Sequence, residues 1–261
     1  MFKDKKLVCF DLDGTLIDSV GIWNQVDAAL IQQLAKIDVD HHSIQQQRDT
    51  QLNKFRQSAD PYLEYCTYLN ELYGFNLTKE QVKLRRYAIS RHFLDYVVEL
   101  KPQAENLIQA LKQHGIQLAL TTTTSLYNIQ RYQENNKLIN SKIDFTNDFS
   151  LLLTREHVDN IKPHPEVYLK ALQHFDVPPE QCLIIEDSLI GVEAANHAGI
   201  DVVALYDQYS AHEIDEIRAN VEYFIKDFEA LLIFSAKKCH KSFIFMTSSV
   251  DVCVYDYFAF L

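Results

Sequence analysis

The chain has 261 residues, long enough for one large core with a smaller part appended, and its 47% hydrophobic and 23% charged residues are those of an ordinary globular protein. A formal net charge of −11 without a compact basic block argues against nucleic acid as a partner, because phosphate backbones bind clustered Lys and Arg. The short, charged start before the first apolar run predicts no secretory leader and a cytoplasmic home, and Cys9, Cys66, Cys182, Cys239 and Cys253, scattered without CxxC spacing, predict neither a zinc knuckle nor a disulfide framework.

In chain order, the apolar run at 7–10 predicts a strand, and Asp11-Leu12-Asp13-Gly14-Thr15 stands at its mouth. From Ile17 to about Glu99 the spacing is helical, with i, i+3, i+4 apolar patterns over 23–36 and 62–73. Gly74 gives a helix stop and Asn76 and Thr78 a fresh start signal. After Pro102 short apolar runs at 116–120, 183–185, 202–205 and 223–225 alternate with helical patterns at 104–113, 126–135, 166–175 and 191–198, which is the signature of a parallel α/β sheet. The expected fold is therefore α/β, a Rossmann-like parallel sheet core at 1–16 and 100–234 interrupted by an all-helical cap at 17–99. An appendage at 235–261 is rich in Phe and Tyr; Asp251 and Asp256 make it a poor membrane span, and no membrane partner is expected.

Ligands of open parallel sheets bind at the carboxyl ends of the strands, so reactive groups belong just after strand signals. Asp11 and Asp13, the run Thr121 to Thr124 with Ser125, Lys162, and the pair Glu186-Asp187 meet that test. Two carboxylates converging at one strand end repel unless a cation or a shared proton compensates, which points to metal-assisted chemistry, although spacing alone does not rank Asp11 against Asp13. The set supplies a nucleophile, a hydroxyl donor, a cation and a metal ligand, as phosphoryl transfer through a carboxylate requires. His41-His42 has no i, i+4 partner and reads as solvated.

In these four motifs the chain resembles the haloacid dehalogenase superfamily over about residues 5 to 233, and more specifically its phosphatase branch with a helical cap, of the phosphoglycolate phosphatase and β-phosphoglucomutase type. The resemblance implies Asp11 as the nucleophile that forms an aspartyl-phosphate and Asp13 as the acid that protonates the leaving oxygen and later activates water. It implies Mg²⁺ held by Asp11, the backbone carbonyl of Asp13 and Asp187, with Glu186 outside the ligand set or acting through water. Leu118-Ala119-Leu120-Thr121-Thr122 aligns best with Thr122 as the phosphate donor, though four consecutive threonines leave the register open, and Thr123 stands where the family often carries Asn. Lys162 in Ile161-Lys162-Pro163-His164-Pro165 matches the Lys-Pro-x-Pro motif and would hold Asp11 ionised. The expected function is Mg²⁺-dependent hydrolysis of a small phosphorylated metabolite of the sugar phosphate or phosphoglycolate type.

Rival readings are a phosphomutase of the same family and a non-catalytic binding protein on the same scaffold. Dehalogenation is disfavoured, because that branch lacks the second acid of the first motif and the metal. Phosphonate cleavage would need a Schiff-base lysine, and nothing marks Lys36 or Lys54 for it. The insert's basic residues, Arg48, Lys54, Arg85, Arg86 and Arg91, are read as solvated helix faces. Oligomeric state is left open.

Overall fold

The computed structural model describes residues 2–55 and 57–236. Six strands, β1 (Leu7–Phe10), β2 (Gln117–Thr121), β3 (Leu151–Leu153), β4 (Cys182–Glu186), β5 (Asp201–Leu205) and β6 (Tyr223–Ile225), form one all-parallel sheet in the order β3-β2-β1-β4-β5-β6. The chain leaves β1 toward β2 on one side and later reaches β4 on the other, so the crevice at the carboxyl end of β1 is a topological switch point.

Both faces of the sheet are covered, which is why its strands read as continuous apolar runs rather than alternating ones. Val8, Phe10, Leu118, Leu120, Leu183 and Ile185 face one way, onto α5 (Ala104–Gln113), α6 (Leu126–Asn135) and α11 (Phe228–Ala236). Leu7, Cys9, Ala119, Cys182 and Ile184 face the other way, onto α8 (Glu166–Phe175) and α9 (Leu189–His197). Cys9 and Cys182 are buried and free, with sulfurs 3.7 Å apart. Of the short helices, α7 (Lys137–Asn140) adds Ile139 to the first of these cores and α10 (Ile214–Ala219) adds Ile217 to the second.

Between β1 and α5 stand four helices, α1 (Val20–Ala35), α2 (His41–Lys54), α3 (Pro61–Tyr73) and α4 (Lys79–Tyr96). They have a core of their own, built on Leu30, Ile31, Ile44, Tyr65, Leu69 and Val82. Gly74 ends α3 in the left-handed region at φ 65°, and Thr78 with Gln81 closes a reciprocal cap on α4. The near ends of α1 and α4 do not stand apart from the sheet, for Ile22, Val26, Leu94 and Val98 join its core. The two connecting segments run side by side: the Asp18 amide donates to the Glu99 carbonyl at 2.9 Å and the Lys101 amide to the Leu16 carbonyl at 2.8 Å.

Strand β3 was not expected from the sequence, because three leucines at a sheet edge give too short a run to carry a periodicity. Among the described residues no helix is long and apolar enough to cross a membrane. The expected appendage lies, from residue 237 on, outside the described residues.

Candidate active site

Asp11 follows β1, Thr122 follows β2 and Asp187 follows β4, so three adjacent strands deliver their next residue to one crevice. Lys162 reaches it from the segment before α8, where the Lys162–Pro163 peptide is cis. Its ammonium, 5% exposed, donates to Asp11 Oδ1 at 2.6 Å, Glu186 Oε1 at 2.6 Å and the Thr121 carbonyl at 2.9 Å. Three acceptors around one buried ammonium use all of its donors.

The carboxylates outnumber that cation. Burial pushes the Asp11 carboxyl up to about 7 against the pull of Lys162, and the charges of Glu186 and Asp13 add to the rise. Burial first, then Glu186 and Asp11, hold Asp187 well above the usual carboxylate range. Asp11, Glu186 and Asp187 each offer an oxygen, all within 4.8 Å of one another, and this hard, anionic oxygen set fits a divalent cation such as Mg²⁺. The close approach depends on Gly14: at φ +84° a Cβ there would lie 2.2 Å from Asp187 Oδ2. The Thr15 hydroxyl then fixes Asp187 by donating to Oδ1 at 2.7 Å.

The three acids differ in how much of their capacity is already used. Glu186 accepts from Lys162 and the Tyr168 hydroxyl on Oε1, and from the Asp187 amide, the Ser188 amide and the Ser188 hydroxyl on Oε2. Gly191 gives it room, since a Cβ there would sit 1.8 Å from Oε1. With five donors on its two oxygens, Glu186 anchors Lys162, whereas Asp11 and Asp187 have oxygens to spare.

The Asp13 carboxylate is turned elsewhere, accepting from Ser19 Oγ at 2.5 Å and from the Thr124 hydroxyl. Burial raises its pKa, opposed by those two hydrogen bonds. In the threonine run the hydroxyls divide: Thr121 donates to the Phe10 carbonyl at 3.2 Å, while Thr122 accepts from the Thr124 amide at 3.0 Å and keeps its own proton to give. Ser19 and Tyr168 were not singled out in the sequence, and Thr15 and Thr124 were named only as members of a motif and a run; only the folded chain shows which acid each touches.

Two of the insert's arginines correct their reading as solvated. Arg86 grips the buried Asp27 through Nε at 2.5 Å and Nη2 at 3.2 Å, and Arg48 adds Nη1 at 3.2 Å. Lys36, Lys54, Arg85 and Arg91 are exposed, as are His41 and His42.

Comparison with known proteins shows that residues 8–205 match the family of haloacid dehalogenase-like hydrolases. The chain belongs to that family. The chain is 29% identical over 202 residues to a bifunctional riboflavin kinase/FMN phosphatase of Arabidopsis thaliana, an alignment covering 76% of the chain but only 48% of that protein. It is 27% identical over 241 residues to the phosphoglycolate phosphatase of Shigella dysenteriae, covering 85% of the chain and 90% of the relative. Its fold is that of CbbY from Rhodobacter sphaeroides, solved with xylulose-1,5-bisphosphate, at a TM-score of 0.65 and 24% identity over 86% of the chain and 95% of CbbY. The chain thus spans about half the length of the first two curated relatives it matches and most of the phosphoglycolate phosphatase.

Proposed function

We propose that this hydrolase is a Mg²⁺-dependent phosphatase that removes phosphate from a small phosphorylated metabolite through an aspartyl-phosphate on Asp11. The observation that carries the reading is Lys162, buried and bonded to Asp11, beside the Asp11, Glu186 and Asp187 oxygens at the switch point of the sheet. The relatives' names, an FMN phosphatase and a phosphoglycolate phosphatase, support a phosphomonoester substrate.

In the first step an Asp11 oxygen attacks phosphorus, the bond from phosphorus to the leaving oxygen breaks, and Asp13 gives that oxygen its proton. In the second, Asp13 takes a proton from water, the water oxygen attacks phosphorus, and the Asp11 carboxylate departs. Burial raises Asp13 in the direction a general acid needs at neutral pH, and releasing Ser19 or Thr124 frees the carboxyl to serve. Lys162 favours the ionised form of Asp11 and balances phosphoryl oxygens, and Thr122 donates its free hydroxyl proton to one of them. Asp11, Asp187 and the Asp13 carbonyl would hold the ion, which supplies charge neutralisation at the transferring group. Residues 17–99 act as the cap that excludes water, on a core of 1–16 and 100–234.

Phosphate release from a panel of phosphomonoesters with Mg²⁺ or EDTA, comparing the parent with Asp11→Asn, tests this. Metal-dependent release lost in the variant is expected. Isomerised phosphate esters in place of free phosphate would convert the reading to a mutase, and neither product would end the catalytic one.

A further inference from the structure

The site just described fixes the phosphate end of a substrate and says nothing of what lies beyond it, where the insert faces the crevice. The buried cations of the insert, Arg48 and Arg86, are already paired. Arg86 and Arg48 share Asp27, and Asp49 stands 3.9 Å from Arg48 Nε. Lys83 pairs with Asp60 and Arg131 with Asp95.

Aromatic rings stand in their place. Ser19 touches Asp13 immediately before α1, and Trp23 is four residues on, one turn along the same side of the helix. The Arg86 guanidinium lies 4.6 Å over the Trp23 ring and 5.9 Å over that of Tyr62. Tyr87 meets Trp23 edge-on at 6.5 Å. Held by Asp27, Arg86 has little left to offer a ligand and instead stiffens the rings it covers. Trp23 is half-buried, and Tyr62 and Tyr87 remain 39% and 37% exposed. Burial pushes the Tyr62 phenol up against the pull of Arg86 and Arg48, and the neighbouring Tyr87 and then Asp13 add to the rise.

We propose that Trp23, Tyr62 and Tyr87 form the leaving-group subsite, and that the substrate is a phosphomonoester with one phosphate and an uncharged ring that lies against them. The inference rests on the phosphatase reading and narrows it, away from phosphoglycolate and from bisphosphates. A sugar ring and a heteroaromatic ring both present such a face, and the test separates them.

Turnover is compared for a nucleoside monophosphate, FMN, a hexose monophosphate, phosphoglycolate and a sugar bisphosphate. The expected result is a kcat/KM for at least one ring-bearing monophosphate roughly tenfold or more above phosphoglycolate and the bisphosphate, the scale of one stacking contact. Trp23→Ala collapses that ratio and Trp23→Phe restores part of it. Because Trp23 is the chain's single tryptophan, its fluorescence in Asp11→Asn reports ring contact without turnover and without disturbing the wall. It changes on adding the preferred ring monophosphate and not on adding phosphoglycolate. A preference for phosphoglycolate or the bisphosphate, a ratio that survives Trp23→Ala, or an unresponsive fluorescence overturns the inference while leaving the phosphatase reading intact. A parent that releases phosphate from no compound removes both.

Discussion

Lys162 shows how much can depend on one side chain. Lys162→Met keeps most of its length but leaves Asp11 and Glu186 facing each other with no ammonium between them. Breaking a buried pair in this way costs about 3–5 kcal/mol, to be read from denaturant unfolding. Phosphate release should fall by roughly 10²–10³, the scale for losing a preorganised group at developing charge. The neighbouring threonines separate structure from chemistry. Thr121→Val removes the hydrogen bond to Phe10 and is expected to cost about 1 kcal/mol of stability. Thr122→Val removes the free donor and is expected to lower kcat/KM by roughly a hundredfold, so the pair of variants settles which hydroxyl serves the phosphate.

Among the elements of the insert, α1 and α4 are tied by Asp27 and Arg86 as well as by packing. Asp27→Ala strands two buried guanidiniums and should destabilise by about 3–5 kcal/mol, with hydrogen exchange rising first in α1 to α4 and only later in the sheet. Elements with strong local signals were legible in the sequence: α5, α6, α8 and β6 have the bounds their patterns predict, and Ser125 and Thr78 cap as their residue types suggest. The edge strand β3 was not legible, since it depends on β2 for its pairing. The motif acids were readable because each follows an apolar strand. Their partners were not, because Ser19 and Thr124 meet on Asp13 across 105 residues of sequence, a meeting no local pattern encodes. The same holds for Arg48 and Arg86: helical spacing puts a charge on a face, and only packing decides whether that face meets solvent or Asp27.

For the molecule as a whole, the buried acids make stability depend on pH and metal together. Asp11 titrates near 7 in the folded chain against about 4 when unfolded, so between those values the folded state holds the extra proton. The stability this group contributes is full below about pH 4 and is lost as pH rises through 7; Asp13 and Asp187 act with the same sign. Metal-free Tm should therefore fall between about pH 5 and 8, less steeply in Asp11→Asn, and Mg²⁺ should raise Tm more at pH 8 than at pH 6 because it competes with those protons. The paired connections at Leu16 to Asp18 and Glu99 to Lys101 bear on how such a chain comes into being. Leaving the ribosome, β1 waits through the four helices of the insert and then α5 for β2, its sheet neighbour, and longer for β4. Closing so long a loop is entropically costly, but helices that gather on their own core first draw its ends together and shorten what the sheet has to span. Until β4 is made, the nascent chain carries Asp11 without Glu186 or Asp187, so the acid cluster cannot assemble before β4 has been synthesised, well after β1 and the insert.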